Sequence, residues 1–148
     1  MAASGTLPRW LRPANRLVRA LSGAGLRLGK IVVLTVPGRT TGKPRSTPVA
    51  PLVVDGHRYV VAGIPGSDWA RNVRAAWRGE LSSGRHREQA TFTEVTDRAI
   101  CEQVMRAFPR EVPGGVAMFV QTGVVASPDP DDFAAAAGAV TVFEIHPA

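Results

Sequence analysis

Short stretches rich in β-branched and other apolar residues recur from Ile31 to the end of the chain. Six of them have the composition of strands, and their sequences are IVVLTV, STPVAPLVV, RYVVAG, GELSSGR, HREQATFTEV and VTVFEIHP. The second and third are joined by Asp55-Gly56, a dipeptide that supplies the positive φ angles of a type I′ hairpin turn. The pattern predicts a mainly β protein with helices, built as a small antiparallel barrel of six strands.

Helical periodicity marks the segments that separate or follow these strands. Residues 9–22 predict a short basic amphipathic helix, and SDWARNVRAAW predicts another. A third helix is expected to begin at Thr96 and Asp97 and to close at Pro109. Between residues 110 and 139 only DPDDFAAAA indicates a capped helix, while VAMFV fits either a helix or a strand.

The length of 148 residues fits one compact core. We expect residues 1–30 to form the N-terminal helix and a glycine-rich joint. Residues 31–148 are expected to form the barrel domain.

The charge of the chain indicates an anionic partner. Lysine and arginine number 18 against 12 acidic residues, which gives a net charge of +6, and almost all of the basic residues are arginines. Guanidinium groups bind phosphate and carboxylate in a bidentate manner, so a cofactor, a nucleic acid or an acidic lipid are all candidate partners. Arginine-rich usage in a genome of high GC content is the alternative explanation.

The same composition indicates where the protein acts. Cys101 is the only cysteine, and no secretory signal or apolar run of membrane-spanning length is visible. We therefore expect a soluble cytoplasmic protein. Peripheral attachment of the 9–22 helix to an anionic membrane stays open as an alternative to its covering one end of the core.

The segment PGRTTGKPRSTP, residues 37–48, concentrates basic side chains in one glycine-containing turn. It lacks the glycine and hydroxyl positions of a phosphate-binding P-loop, but its amides and cations can still meet an anion. The histidines are isolated, so no metal site is predicted. No nucleophile or acid pair is recognisable either, and no catalytic residue is assigned. If the protein is an enzyme, its reactive group is expected to come from a cofactor.

Two blocks of sequence resemble the deazaflavin-dependent nitroreductase family. LTVPGRTTGKPRSTP resembles the strand and turn typical of that family, and RYVVAGIPGSDWARNVRAA resembles its following strand, loop and helix. The resemblance implies a split β-barrel of the FMN-binding-protein type. It also implies coenzyme F420, an 8-hydroxy-5-deazaflavin hydride carrier with a phosphate and a polyglutamate tail, as cofactor in preference to FMN.

The resemblance further implies which residues bind the cofactor. The phosphate region is assigned to Arg39, Thr40, Thr41, Gly42, Lys43 and Arg45. The side of the cofactor is assigned to Ser46, Thr47 and Val49, and its deazaflavin ring to Ala62, Gly63, Trp69 and Asn72.

The favoured function is therefore an F420-dependent oxidoreductase that transfers hydride to a small electron-poor or unsaturated acceptor such as a quinone. Family members that reduce nitro compounds carry tyrosines where this chain has Ala50 and EVPGG, so we do not expect nitroimidazole reduction. A non-catalytic carrier or sequestering protein for F420, a flavin or a haem-like ligand is the alternative. Nucleic-acid binding is disfavoured because aromatic stacking residues are few, and a homodimer stays open.

Overall fold

The computed structural model describes residues 31–64 and 66–148, which contain seven strands in one antiparallel sheet of order β2-β1-β5-β6-β7-β4-β3. The strands are β1 (Val32–Pro37), β2 (Pro44–Val49), β3 (Leu52–Val54), β4 (His57–Ala62), β5 (Arg78–Ser83), β6 (His86–Glu94) and β7 (Thr141–Pro147). The helices are α1 (Asp68–Ala76), α2 (Arg98–Glu111), α3 (Val116–Gln121) and α4 (Pro130–Ala135), with 3₁₀ turns at Pro113–Gly115 and Ala137–Ala139. The predicted helix 9–22 and the proposed segment 1–30 lie outside the described residues.

The prediction of six strands is wrong by one, because the stretch STPVAPLVV forms two strands. β2 pairs with β1 up to Val49, and β3 pairs with β4 from Leu52 onward. Pro51 lies between them, and a proline has no amide hydrogen to donate to a strand ladder. The chain changes partner at this proline.

The connection between β2 and β3 also shows that the sheet curls. These two strands form the opposite edges of the sheet, yet only Ala50 and Pro51 separate them in sequence. The three steps from Val49 to Leu52 span at most about 11 Å. In a flat sheet, seven strands would place the edges about 29 Å apart. The sheet therefore closes on itself, which confirms the predicted split β-barrel.

Hydrophobic residues fill both faces of this curled sheet. Tyr59 and Val142 belong to one buried cluster, which includes side chains of α2, α3 and α4. Val60 and Phe143, their neighbours along the strands, belong to a second cluster that includes Val73 of α1. Because successive side chains of a strand point to opposite faces, the first cluster lies outside the barrel and the second inside it.

Helix α2 begins where the sequence predicts and ends later. The Asp97 carboxylate accepts a hydrogen bond from the Ala99 amide at 2.9 Å, as an N-cap should. Pro109 does not close the helix, which continues to Glu111. A proline so near the end of a helix removes one backbone hydrogen bond and leaves few further turns to disrupt, so the prediction of a stop was too strict.

Three phenylalanines from α2, α3 and α4 pack against one another in the helical layer. The ring centroids of Phe108 and Phe119 are 4.8 Å apart, and Phe133 lies 5.7 Å from Phe108 and 5.6 Å from Phe119. Phe119 belongs to the VAMFV segment, which is helical. The stretch that the sequence left largely unassigned is thus short helices around an aromatic cluster.

An ion pair connects β4 to β6 across the intervening strand β7. The guanidinium of Arg58 donates to both carboxylate oxygens of Glu88, at 2.8 and 2.6 Å, and both side chains are partly buried. These hydrogen bonds lower the pKa of Glu88 and raise that of Arg58.

Replacing Glu88 by glutamine should lower the free energy of unfolding at neutral pH by about 0.5–1 kcal/mol. Because the folded-state pKa of Glu88 is depressed, its contribution is present above the pKa of the unfolded carboxyl and disappears as pH falls through the folded value. Urea titrations of the wild type and Glu88→Gln should therefore differ at pH 7 and converge in acid. A difference that persists unchanged in acid would contradict this account.

No helix among the described residues is long and apolar enough to cross a membrane.

Candidate functional site

The turn between β1 and β2 is closed by its own backbone. The Gly38 amide donates to the Lys43 carbonyl at 2.8 Å, and the Gly42 amide donates to the Gly38 carbonyl at 2.8 Å. Gly42 has a φ of +76°, a conformation that glycine adopts at little cost. The sequence therefore fixes a compact turn that leaves the side chains of Lys43 and Arg45 exposed.

The N-terminal half of α1 is attached to this turn through a buried amide. The Asn72 side chain is 5% exposed, and its Oδ1 accepts hydrogen bonds from the Arg39 amide at 3.1 Å and from Arg39 Nη1 at 2.9 Å. A buried carbonyl oxygen with two donors is well satisfied. Asn72 thus sets the position of the turn relative to the helix.

Arg39 makes a second set of contacts with the same helix. Its Nη2 donates to the Asp68 carboxylate at 3.1 Å, and its Nη1 lies 3.4 Å from the Asp68 carbonyl oxygen. The Asp68 side chain is 85% exposed, so the ion pair lies at the surface. Arg39 is therefore a brace between the turn and α1 as well as a candidate anion ligand.

A cavity of about 510 Å³ opens between the turn, β2 and α1. It is lined by Gly38, Arg39, Thr40, Thr41, Arg45, Ser46, Thr47, Asp68, Trp69 and Asn72. The indole of Trp69 is half-buried, and its centroid lies 6.1 Å from that of Phe143 in the barrel interior. The cavity therefore combines one aromatic surface with hydroxyl and guanidinium donors.

Most of the residues assigned from the sequence meet at this cavity. Those that line it are Arg39, Thr40, Thr41, Arg45, Ser46, Thr47, Trp69 and Asn72. Those that do not are Gly42, Lys43, Val49, Ala62 and Gly63. Gly42 and Lys43 belong to the same turn, and Val49 and Ala62 are buried in the barrel core. Their contact with a cofactor stays a prediction.

Gly63 has a packing role that the sequence did not indicate. A Cβ atom at this position would lie 2.4 Å from Cε1 of Phe119, closer than any real contact between carbon atoms. The end of β4 and helix α3 therefore touch at this glycine.

Two cavity residues, Gly38 and Asp68, escaped the sequence assignment. A Cβ at Gly38 would come within 3.1 Å of the Lys43 carbonyl oxygen, so the close backbone approach explains the glycine. Asp68 precedes Asn72 by four positions, which places both on one face of a helix. That spacing was the available signal.

The donor set suits an anion bound beside an aromatic surface. Neither Lys43 nor Arg45 forms a salt bridge within residues 31–64 and 66–148, so their charges are available to a ligand. Guanidinium and hydroxyl donors are well matched to phosphate and carboxylate oxygens. In the same part of the chain no three His, Cys, Asp or Glu side chains are grouped to hold a metal ion. The residues present fit a phosphate-bearing cofactor.

Cys101 is the remaining nucleophilic side chain of interest, and it lies away from the cavity in α2. Its Sγ donates to the Val95 carbonyl at 3.4 Å, and burial raises the pKa of the thiol. A protonated buried thiol is a packing group.

Solved structures with the same architecture share little sequence with this chain. One described as a domain-swapped dimer is 21% identical, covering 90% of this chain and 99% of its own, with a TM-score of 0.53. The F420-H2 dependent reductase FDR-A is 21% identical over 78% of this chain and 93% of its own, with a TM-score of 0.54. Conserved hypothetical protein Rv2991 from Mycobacterium tuberculosis is 15% identical over 86% and 79%, with a TM-score of 0.56. These likenesses concern the fold.

None of the curated proteins matches this chain. The family model described as F420H(2)-dependent quinone reductase matches residues 10–118, which include the turn, α1 and every residue that lines the cavity. That match covers most of the chain, and nothing in the comparisons supports a non-catalytic carrier. The protein is therefore an F420-dependent oxidoreductase and belongs to the F420H(2)-dependent quinone reductase family.

Proposed function

We propose that the cavity between the β1–β2 turn and α1 is where this reductase binds coenzyme F420. The observation that carries the proposal is the convergence of Arg39, Arg45 and three threonines with Trp69 around an opening of about 510 Å³. A phosphate group needs the first set of donors, and an extended ring system needs an apolar surface.

Residues of the cavity wall, and five assigned residues outside it, each have a role in this proposal. Thr40, Thr41, Lys43 and Arg45 would hold the phosphate region, with Gly42 allowing the turn. Arg39 would share this task while bracing α1. The remaining assignments are Ser46, Thr47 and Val49 along the cofactor, and Ala62, Gly63, Trp69 and Asn72 toward its ring. The Trp69 ring packs near Phe143, and the Asn72 side chain is hydrogen-bonded to Arg39. Both side chains are therefore held in position before the cofactor binds.

The bound cofactor would supply a two-electron hydride transfer. The protein's residues then have to hold the two reactants in contact and in the correct orientation, a contribution that can be large without acid–base help. This division of labour agrees with a cavity whose walls are donors and apolar surface, and we assign no catalytic side chain.

The enzyme acts on a small-molecule acceptor, and we propose that the acceptor is a quinone or another unsaturated apolar molecule. Ile64 and Met118 are large apolar side chains that are 51% and 43% exposed. Gly63 and Phe119, their neighbours in sequence, touch each other. The Ser67 amide, immediately before α1, donates to the Ile64 carbonyl at 3.2 Å. Ile64 is thus an exposed apolar side chain next to the start of the helix that lines the cavity, and we propose that the apolar ring binds there.

Two titrations and one assay test the proposal. Oxidised F420 and FMN are titrated separately into the protein, and binding is followed by fluorescence; F420 is expected to bind more tightly. Reduced F420 is then mixed with the protein and a quinone, and reoxidation of the deazaflavin is followed by its absorbance. Ile64→Asn should raise KM for an isoprenoid quinone more than for a short water-soluble one, while the equally exposed Val53→Asn should change neither.

A preference for FMN would contradict the cofactor site. No turnover with a broad panel of quinones and other electron-poor acceptors would contradict the choice of acceptor. Equal effects of Ile64→Asn on long and short quinones would remove the apolar surface from the proposal.

Self-association and membrane attachment are separate proposals. A structure described as a domain-swapped dimer shares this fold over 99% of its own length, which supports a homodimer. Light scattering should then give twice the chain mass of 15.7 kDa. Peripheral contact with an anionic membrane rests on the net charge of +6 and the basic segment 9–22, and flotation with anionic vesicles tests it.

A further inference from the structure

The guanidinium of Arg39 is only partly free to meet an anion. A guanidinium carries five N–H groups. Within the described residues Nη1 is directed at Asn72 Oδ1 and the Asp68 carbonyl, and Nη2 donates to the Asp68 carboxylate. The outer edge of the fork, where a phosphate or carboxylate would bind in bidentate fashion, is thus already shared with an acid of the protein itself.

Asp68 places a negative charge in the wall of a cavity that otherwise favours anions. Its side chain is 85% exposed, and Asp68 lines the same cavity as Arg39 and Arg45. Like charges repel, and in an open cavity the repulsion is modest and sensitive to salt. The carboxylate therefore opposes an anionic ligand in two ways, by competing for Arg39 and by its own charge.

We infer that Asp68 weakens the binding of the anionic cofactor by acting as a resident competitor for Arg39. The inference rests on the proposed assignment of this cavity to F420. When the cofactor binds, its phosphate or tail carboxylate displaces the Asp68 carboxylate from Nη2, and when it leaves, Asp68 takes the position back. Affinity is thereby kept below what the cations alone would give, and release is faster.

Asn72 is what allows this exchange without loss of the site. Its buried Oδ1 accepts hydrogen bonds from both the backbone amide and Nη1 of Arg39, so the arginine stays in place when its ion pair with Asp68 breaks. Nη2 would then exchange the Asp68 carboxylate for a ligand anion, while Nη1 stays hydrogen-bonded to Asn72.

The test is Asp68→Asn, measured as the dissociation constant of oxidised F420 by fluorescence titration at low and high salt. The amide keeps the size of the side chain and removes its charge. We expect binding about 3- to 10-fold tighter than wild type at low salt, with most of the gain lost at high salt. A deazaflavin that lacks the phosphate and the glutamate tail should bind both proteins equally.

Asp131→Asn is the matched control. Asp131 also lies in the first turn of a helix, is 80% exposed and pairs with an arginine, Arg106, but it does not line the cavity. It changes the net charge by the same amount and should leave the affinity for F420 unchanged. Thermal unfolding of each variant verifies that the compared proteins are folded.

The outcomes separate this inference from the proposed function. If wild type binds F420 in a manner that depends on Arg45 but Asp68→Asn binds it equally or more weakly, the competitor role is wrong and the site assignment survives. If Asp131→Asn lowers the dissociation constant of F420 as much as Asp68→Asn does, the effect comes from net charge alone and the inference is overturned as well. If wild type does not bind F420, both the site and the inference fail.

Discussion

Phe119→Ala is expected to lower the free energy of unfolding by about 3–5 kcal/mol, the range found when a buried aromatic ring is removed from a packed core. Phe119 is 1% exposed and contacts the rings of Phe108 and Phe133. It also lies directly against Gly63 at the end of β4. Its loss would leave a cavity between the helical layer and the barrel. Chemical denaturation monitored by circular dichroism measures the change.

Met118→Ala is the control for this prediction. Met118 precedes Phe119 in the same short helix but is 43% exposed, so its truncation should cost less than about 1 kcal/mol. Similar losses in the two variants would mean that helix stability, and not the buried aromatic cluster, determines the result.

Arg45→Ala is expected to weaken F420 binding by about 1–3 kcal/mol, which corresponds to a factor of about 5–150 in the dissociation constant. Arg45 lines the cavity, is exposed, and has no salt bridge within the described residues. Its donors are therefore available to the cofactor phosphate. Fluorescence titration with F420 measures the loss, which should shrink as the salt concentration rises.

Two further variants sharpen this experiment. Arg85→Ala removes the same charge from the exposed β5–β6 turn, away from the cavity, and should leave the affinity nearly unchanged. Arg45→Lys keeps the charge without the planar fork and should lose only part of the affinity. Unchanged affinity in Arg45→Ala would overturn the assignment of this cavity to the phosphate.

The elements that local chemistry determines could be predicted from the sequence. Asp55 and Gly56 have φ angles of +53° and +79°, as their type I′ turn requires, and the hairpin they close is present. Asp97 caps its helix as expected. The sequence predicts one strand across Pro51 because the residues next to it are apolar. The missing amide hydrogen of this proline instead divides β2 from β3. Residues 110–139 were obscure because their helices are too short to show a period.

Eight of the residues that the resemblance assigns line one cavity, but the contacts among them could not be predicted from the sequence. The resemblance placed Arg39 and Asn72 in one site, and the structure brings them into direct contact although 33 positions separate them. Nothing in the local sequence shows that Arg39 is held by Asn72 and Asp68, because such pairings arise only when the barrel brings the turn to α1. The local sequence likewise does not show that Gly63, which the resemblance assigns to the cofactor, lies against Phe119, far along the chain.

The place of β7 in the sheet has a consequence for synthesis on the ribosome. β7 is made after the other six strands of the sheet, yet it lies between β6 and β4 and pairs with both. Until Thr141–Pro147 has left the exit tunnel, the other described strands form two separate pieces, β2-β1-β5-β6 and β4-β3, each with an open edge that can pair with another polypeptide. A premature stop before Thr141 would leave the two pieces unjoined, so we expect it to yield an aggregating product.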